Sequence, residues 1–210
     1  MNTYKKGQVV YAIWNTFGNA TCGIDLQKPD KKLGNRIDKL LSAGLLPDAE
    51  RGGGPGKDNG FTEEQVFLIT LALILMDMGQ GLWAAAFFIH HTHDSLLNKY
   101  AEIRRNPPSH IAEKDPDEKM VYLMFQYRDL KEFYPNITKR KVEGWRGSSY
   151  PPIVLNPRYA TGMEGIRESL KFYIQRGRQC HAEIIEIAKM SSLLLHNLKS
   201  APIPKRGRPK

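Results

Sequence analysis

Phe61–Leu82 reads FTEEQVFLITLALILMDMGQGL, and this stretch decides the fold. Thr62 and Gln65 have the spacing of a capping box, in which each side chain accepts a hydrogen bond from the other residue's backbone amide. Thr70 is the one polar residue between Val66 and Met76. We therefore predict a helix that is buried on nearly every side.

The sequence also predicts where this buried helix ends and that a second helix follows it. Gly79 suits a left-handed stop, and Leu82–Ile89 reads as a second apolar helix. The alternative is a membrane span over Val66–Ile89, which is long enough to cross a bilayer. Asp77 lies near its middle, where a charge costs about 2.5–3.5 kcal/mol, so a hairpin in a protein core is favoured.

The chain is a strongly basic globular protein. Its 210 residues are 41% hydrophobic and 25% charged, with a net charge of +9. This charge favours a polyanionic partner, with nucleic acid ahead of an acidic membrane surface. Cys22 and Cys180 are far apart, which fits a reducing compartment and argues against a disulfide framework or a cysteine metal site.

Two helices and a glycine-rich loop precede the buried stretch. Lys6–Phe17 and Leu33–Ala43 both have helical spacing, and the second leaves Arg36 and Lys39 on its open side. Arg51–Gly60 then reads RGGGPGKDNG. A phosphate-binding loop, a wing that lies along a DNA backbone, and a plain connector are the three interpretations of this segment.

The order of these motifs resembles the MerR-type winged helix-turn-helix family. Gly44–Pro47 reads GLLP and Phe61–Glu64 reads FTEE, and both match the family pattern. Gly79 and Leu82 follow at the family spacing, and the resemblance covers roughly residues 5–90. It implies a winged DNA-binding domain in a transcriptional regulator that dimerises through a C-terminal helix, with RNA polymerase as a further partner.

The middle of the chain predicts a small mixed module. Pro107 and Pro108 mark the best boundary, and Met120–Tyr127 and Pro151–Leu155 have strand composition. No pairing of a nucleophile with a base indicates an enzyme. The group His90, His91 and His93 is interpreted as a polar helix end ahead of a metal site, and no cofactor is predicted.

The C-terminal region has heptad spacing. Apolar or small residues alternate every four and three positions from Ile166 to Leu198. Pairing between two chains is favoured over packing within one chain. The last six residues, Lys205–Lys210, resemble an AT-hook, whose Arg-Gly-Arg-Pro core lies in the narrow minor groove of A·T-rich DNA.

The sequence thus predicts a mainly α protein and a non-enzymatic DNA-binding regulator, dimeric, cytoplasmic and nucleoid-associated. Its predicted parts are a winged-helix domain (1–105), a linker with a small module (106–160), a long dimerisation helix (161–199) and a disordered basic tail (200–210). The alternatives are an architectural or recombination accessory DNA-binding protein, and a membrane-associated interaction protein using residues 66–89. The predicted DNA-binding residues are Arg36, Lys39, Arg51, Lys57, Lys205, Arg206, Gly207, Arg208, Pro209 and Lys210.

Overall fold

The computed structural model describes residues 3–21, 29, 31–47, 60–109, 117–127, 154–175 and 182–203. Within these ranges the protein is mainly helical with one small antiparallel sheet, which confirms the predicted class. The elements are α1 (Lys6–Thr21), α2 (Lys31–Ser42), α3 (Glu63–Asp77), α4 (Leu82–Arg105), β1 (Val121–Tyr127), β2 (Val154–Thr161), α5 (Gly162–Gln175), β3 (Glu183–Glu186) and α6 (Ala188–Ser200).

The predicted start and end signals of α3 are confirmed. The Gln65 amide donates to Thr62 Oγ1 at 3.3 Å, and the Thr62 amide donates to Gln65 Oε1 at 3.0 Å. Gly79 has a φ of +97°, the left-handed conformation that glycine adopts without steric cost. Local signals at both ends therefore define the extent of this helix.

α3 is the central helix of the core. Every side chain from Val66 to Ala72 is buried, as is Leu75. The apolar run does not continue as one helix, because the chain turns between α3 and α4 at Met78–Gly81. No helix in the described ranges has both the length and the hydropathy that a bilayer span requires.

The three strands form an antiparallel sheet in the order β2-β1-β3. Leu123 and Phe125 of β1 face the helical core, whereas Met124 packs with Ala160 of β2 and Tyr173 of α5 on the other side. The sheet therefore lies between α5 on one side and the helices on the other.

Strand β2 differs from its prediction. It begins inside the predicted 151–155 segment but continues through Pro157 to Thr161. The pairing slips by one residue between the Met124–Arg158 and Gln126–Leu155 pairs. Proline cannot donate to a strand ladder, so an irregularity on an edge strand accommodates it.

The heptad spacing predicted one long C-terminal helix, and this expectation requires correction. Strand β3 separates α5 from α6, because Ile184 and Ile185 pair with β1. β-Branched residues favour such pairing. The Glu186 carboxylate then accepts from the backbone amides of the first three α6 residues at 2.8–3.0 Å, which starts a new helix.

The apolar side of α6 is buried within the same chain. Leu194 and Leu198 belong to the cluster that also contains Val9 and Ile13 of α1. Asn197 Nδ2 donates to Thr16 Oγ1 of α1 at 3.1 Å. This half of the heptad seam is therefore not available for pairing with a second chain.

The buried phenol of Tyr100 predicts an alkaline loss of stability. Tyr100 is 5% exposed, and burial raises its pKa above the ordinary value. The folded state therefore favours the neutral phenol. The contribution of the phenol to the free energy of unfolding is complete below pH ~10 and is lost as the pH rises above that value. We expect Tyr100→Phe to be more stable than the wild type in alkaline buffer, with the difference growing with pH in urea unfolding. Parallel alkaline losses in both proteins would contradict this.

Candidate nucleic-acid interface

One side of α2 carries a row of basic and amide side chains. Lys32, Asn35, Arg36 and Lys39 follow the spacing i, i+3, i+4, i+7, which places them along one side of a helix. All four are exposed. We call this row the α2 basic stripe.

The packing of α2 fixes which side faces outward. Ile37 and Leu40 are fully buried, and Leu33 and Leu41 pack partly against the same core. Gly44 has a φ of +84° and ends the helix. The residues that follow it are buried. Because the apolar side is held in the core, the basic stripe is held towards solvent.

The acidic residue of α2 is paired with a cation from α1. Lys6 Nζ lies 2.5 Å from Asp38 Oδ2, and both side chains are about half exposed. Such a surface pair contributes only about 0–1 kcal/mol to stability. Its larger consequence is electrostatic, because Lys6 offsets Asp38, the one carboxylate of α2.

The α1 and α2 helices also approach closely at Gly34. A Cβ placed there would lie 3.6 Å from Lys6 Cε and 3.9 Å from Val10 Cγ2, which is ordinary contact. α1 therefore packs against α2 at Gly34, on the side of α2 that faces away from the stripe.

The described residues on either side of the glycine-rich segment pack in or against the core. Before it, Leu45 and Leu46 are buried. After it, Phe61 and Tyr4 exchange two backbone hydrogen bonds of 2.8 Å. Gly60 packs so tightly against Thr3 that an added Cβ would lie 2.3 Å from the Thr3 Cβ.

An ion pair and a phenol surround this return point. Arg104 of α4 lies 3.8 Å from the Glu63 carboxylate, and the Tyr4 hydroxyl donates to Glu63 at 3.5 Å. Burial raises the pKa of Tyr4, and the nearby Glu63 carboxylate raises it further. Phe61 therefore lies where the N-terminal segment, α3 and α4 meet.

The predicted DNA-binding residues are only partly placed. Arg36 and Lys39 lie together on the α2 basic stripe. Arg51, Lys57 and Lys205–Lys210 lie outside the described residues, and so do Cys22 and Cys180. The described chain ends after α6 at residue 203.

The histidine group of α4 is described and does not form a metal cluster. His93 Nδ1 contacts Asp94 Oδ1 at 3.0 Å, and the His90 and His91 rings meet edge to face. In the ranges that the structure covers, no three His, Cys, Asp or Glu side chains are grouped as metal ligands would be.

Two members of the stripe, Lys32 and Asn35, are not among the residues predicted from the sequence. The predicted helix starts at Leu33 and leaves Lys32 outside it, whereas α2 begins at Lys31. The spacing of Lys32, Asn35, Arg36 and Lys39 was the signal that could have identified both.

The comparisons with known proteins add no assignment. No family model, curated protein or solved structure matches this chain.

Proposed function

We propose that this protein is a sequence-specific, double-stranded DNA-binding transcriptional regulator that acts as a homodimer and contacts RNA polymerase. The observation that carries the proposal is the α2 basic stripe. It is exposed, contains three cations and an amide, and holds no carboxylate. DNA-binding helices present this combination to the major groove.

The dimensions of α2 suit this role. A helix of 12 residues is roughly 18 Å long, and the major groove is about 12 Å wide and admits a helix. Arg36 has the planar donors that recognise guanine O6 and N7, and Asn35 can bond adenine N6 and N7. Lys32 and Lys39 are suited to phosphates on the groove edges.

Two further contacts complete the proposed mechanism. Arg51 and Lys57 in the glycine-rich loop would hold backbone phosphates beside the helix. Lys205–Lys210 would enter the minor groove of adjacent A·T-rich DNA, and tethering raises its local concentration there. The resemblance to MerR-type winged-helix proteins supports the first of these contacts.

Removing the stripe cations tests the proposal. We expect Arg36→Ala/Lys39→Ala to weaken duplex binding at least about tenfold, and to lower the slope of log K against log salt by about 1–2. Fluorescence anisotropy with a duplex selected from a random library measures both quantities.

The matched control is Arg105→Ala/Lys199→Ala. It also removes one arginine and one lysine, from exposed positions in the last turns of α4 and α6. We expect this control to bind with nearly the wild-type slope. Equal losses in the two double variants, or wild-type binding by Arg36→Ala/Lys39→Ala, would overturn the role of α2.

A further inference from the structure

One flank of α2 carries the only carboxylate of that helix. At roughly 100° per residue, Asp38 lies about 60° beyond Asn35 and about 110° from the midline of the α2 basic stripe. The opposite flank is apolar, because Leu40 is fully buried and Leu33 packs against the same core. When the stripe faces the floor of a DNA groove, the Asp38 flank is therefore the one that can face a phosphate strand.

A lysine from α1 meets this carboxylate. Lys6 Nζ lies 2.5 Å from Asp38 Oδ2. The Lys6 side chain passes Gly34 on its way, since a Cβ added to Gly34 would lie 3.6 Å from Lys6 Cε and 3.8 Å from Lys6 Nζ. The ammonium group of a neighbouring helix is thus located on the flank of α2, between Gly34 and Asp38.

This ammonium group keeps donors for a further partner. A lysine Nζ has three protons, and in the described part of the chain Lys6 Nζ makes one hydrogen bond, to Asp38. Lys6 is also the first residue of α1, so the positive end of that helix dipole lies close by. Both side chains of the pair are about half exposed. Lys6 can therefore bind a phosphate oxygen while it still donates to Asp38.

The Lys6–Asp38 pair matters more at a DNA interface than for folding. An exposed ion pair adds little to the free energy of unfolding. Beside DNA, the carboxylate restrains a long and flexible cation to one position, which reduces the entropy that is lost when the cation binds a phosphate. The carboxylate also repels phosphates that approach in other orientations, so those complexes are less favourable.

We propose that Lys6 contacts a DNA phosphate, and that Asp38 positions Lys6 and lowers the affinity for unrelated DNA. Phosphate contacts set the orientation of a helix in its groove, whereas base contacts set the sequence that is recognised. Lys6 therefore orients α2, and Asp38 raises the ratio of specific to unrelated binding. The inference rests on the proposed function, because it adds a contact to the same interface.

Lys6→Ala and Lys6→Arg in the full-length protein test the phosphate contact. Fluorescence anisotropy with the selected duplex is measured at several salt concentrations. We expect Lys6→Ala to weaken binding at least about fivefold and to lower the slope of log K against log salt by about 1, because one phosphate fewer is neutralised. Lys6→Arg should keep the wild-type slope, since it keeps the charge. Far-ultraviolet circular dichroism checks that every variant is folded.

Asp38→Asn tests the positioning role, with an unrelated duplex of the same length as a second ligand. We expect this variant to bind the unrelated duplex more tightly, and the ratio of selected to unrelated affinity to fall at least about threefold. Lys6→Ala/Asp38→Asn should bind more tightly than Lys6→Ala, because it leaves no unpaired carboxylate beside the DNA. Loss of an ion pair with a purely structural role would change neither the ratio nor the slope.

The matched control is the Glu168–Lys171 pair of α5. Its two charged atoms are also 2.5 Å apart, and its side chains are also about half exposed. It belongs to the helix that packs on the sheet through Tyr173. We expect Glu168→Gln and Lys171→Ala to bind both duplexes as the wild type does.

Three results would overturn the inference. A wild-type slope for Lys6→Ala, in a protein that loses binding on Arg36→Ala/Lys39→Ala, would remove Lys6 from the interface and leave the α2 basic stripe in it. An unchanged affinity ratio for Asp38→Asn would remove the positioning role. Absence of duplex binding by the wild type would remove the proposed function and this inference together.

Discussion

Phe67→Ala should lower the free energy of unfolding by about 3–5 kcal/mol, the cost of removing a large buried aromatic ring. Phe67 is fully buried on α3, and its ring centroid lies 4.6 Å from that of Tyr100 on α4. The change therefore leaves a cavity between α3 and α4. Because native domains are stable by only about 5–15 kcal/mol, a large fraction of the total would be lost.

Urea unfolding followed by circular dichroism measures this loss, with Trp83→Ala as the control. Trp83 is also an aromatic residue in the same helical region, but it is 52% exposed. Its removal should cost about 1 kcal/mol or less. Similar midpoints for the two variants would show that the α3–α4 contact is not the centre of the core.

Gly162→Ala should lower the free energy of unfolding by about 2–4 kcal/mol. Gly162 has a φ of +64°, and an added Cβ would lie 2.2 Å from Asp117 Oδ2 and 3.1 Å from the Asp117 carbonyl oxygen. The carboxylate is not free to move away, since it accepts from the Met163 amide at 2.9 and 3.1 Å. Backbone strain at Gly162 and the steric collision with Asp117 therefore both destabilise the variant, at the junction of β2 and α5.

Gly79→Ala separates these two contributions. Gly79 also has a positive φ, of +97°, but apart from its neighbours in the chain no described atom lies within 4 Å of the position that an alanine Cβ would take. This variant should lose only the backbone contribution, about 1–2 kcal/mol. Thermal unfolding of both variants gives the difference, and an equal loss would mean that Asp117 adjusts without cost.

The parts of the fold that were predictable are those with local signals. Thr62 and Gln65 indicated the start of α3, and Gly79 indicated its end, because capping and left-handed turns depend on neighbouring residues. Strand β3 was not predictable in this way. Ile184 fits a heptad seam equally well, and only the pairing of Ile184 and Ile185 with β1, about sixty residues away, decides for a strand.

In the candidate interface, too, the features with local signals were predictable and the long-range contacts were not. Exposure of Arg36 and Lys39 followed from helical spacing alone. The pairing of Lys6 with Asp38 joins residues 32 apart in the chain, so no local pattern indicates it. That pair nevertheless affects the charge of α2, because Lys6 offsets its one carboxylate.

The central claim is DNA binding with a minor-groove contribution from the tail, and a salt titration tests it most directly. Full-length protein and a truncation ending at Ala201, the residue that closes α6, would be titrated against A·T-rich and G·C-rich duplexes. We predict tight, salt-sensitive binding with an A·T preference. The truncation removes four cations, so it should lose the preference, and its slope of log K against log salt should be shallower by about 3–4. Absence of binding by both proteins at low salt would contradict the account, and an unchanged slope would contradict the role of the tail.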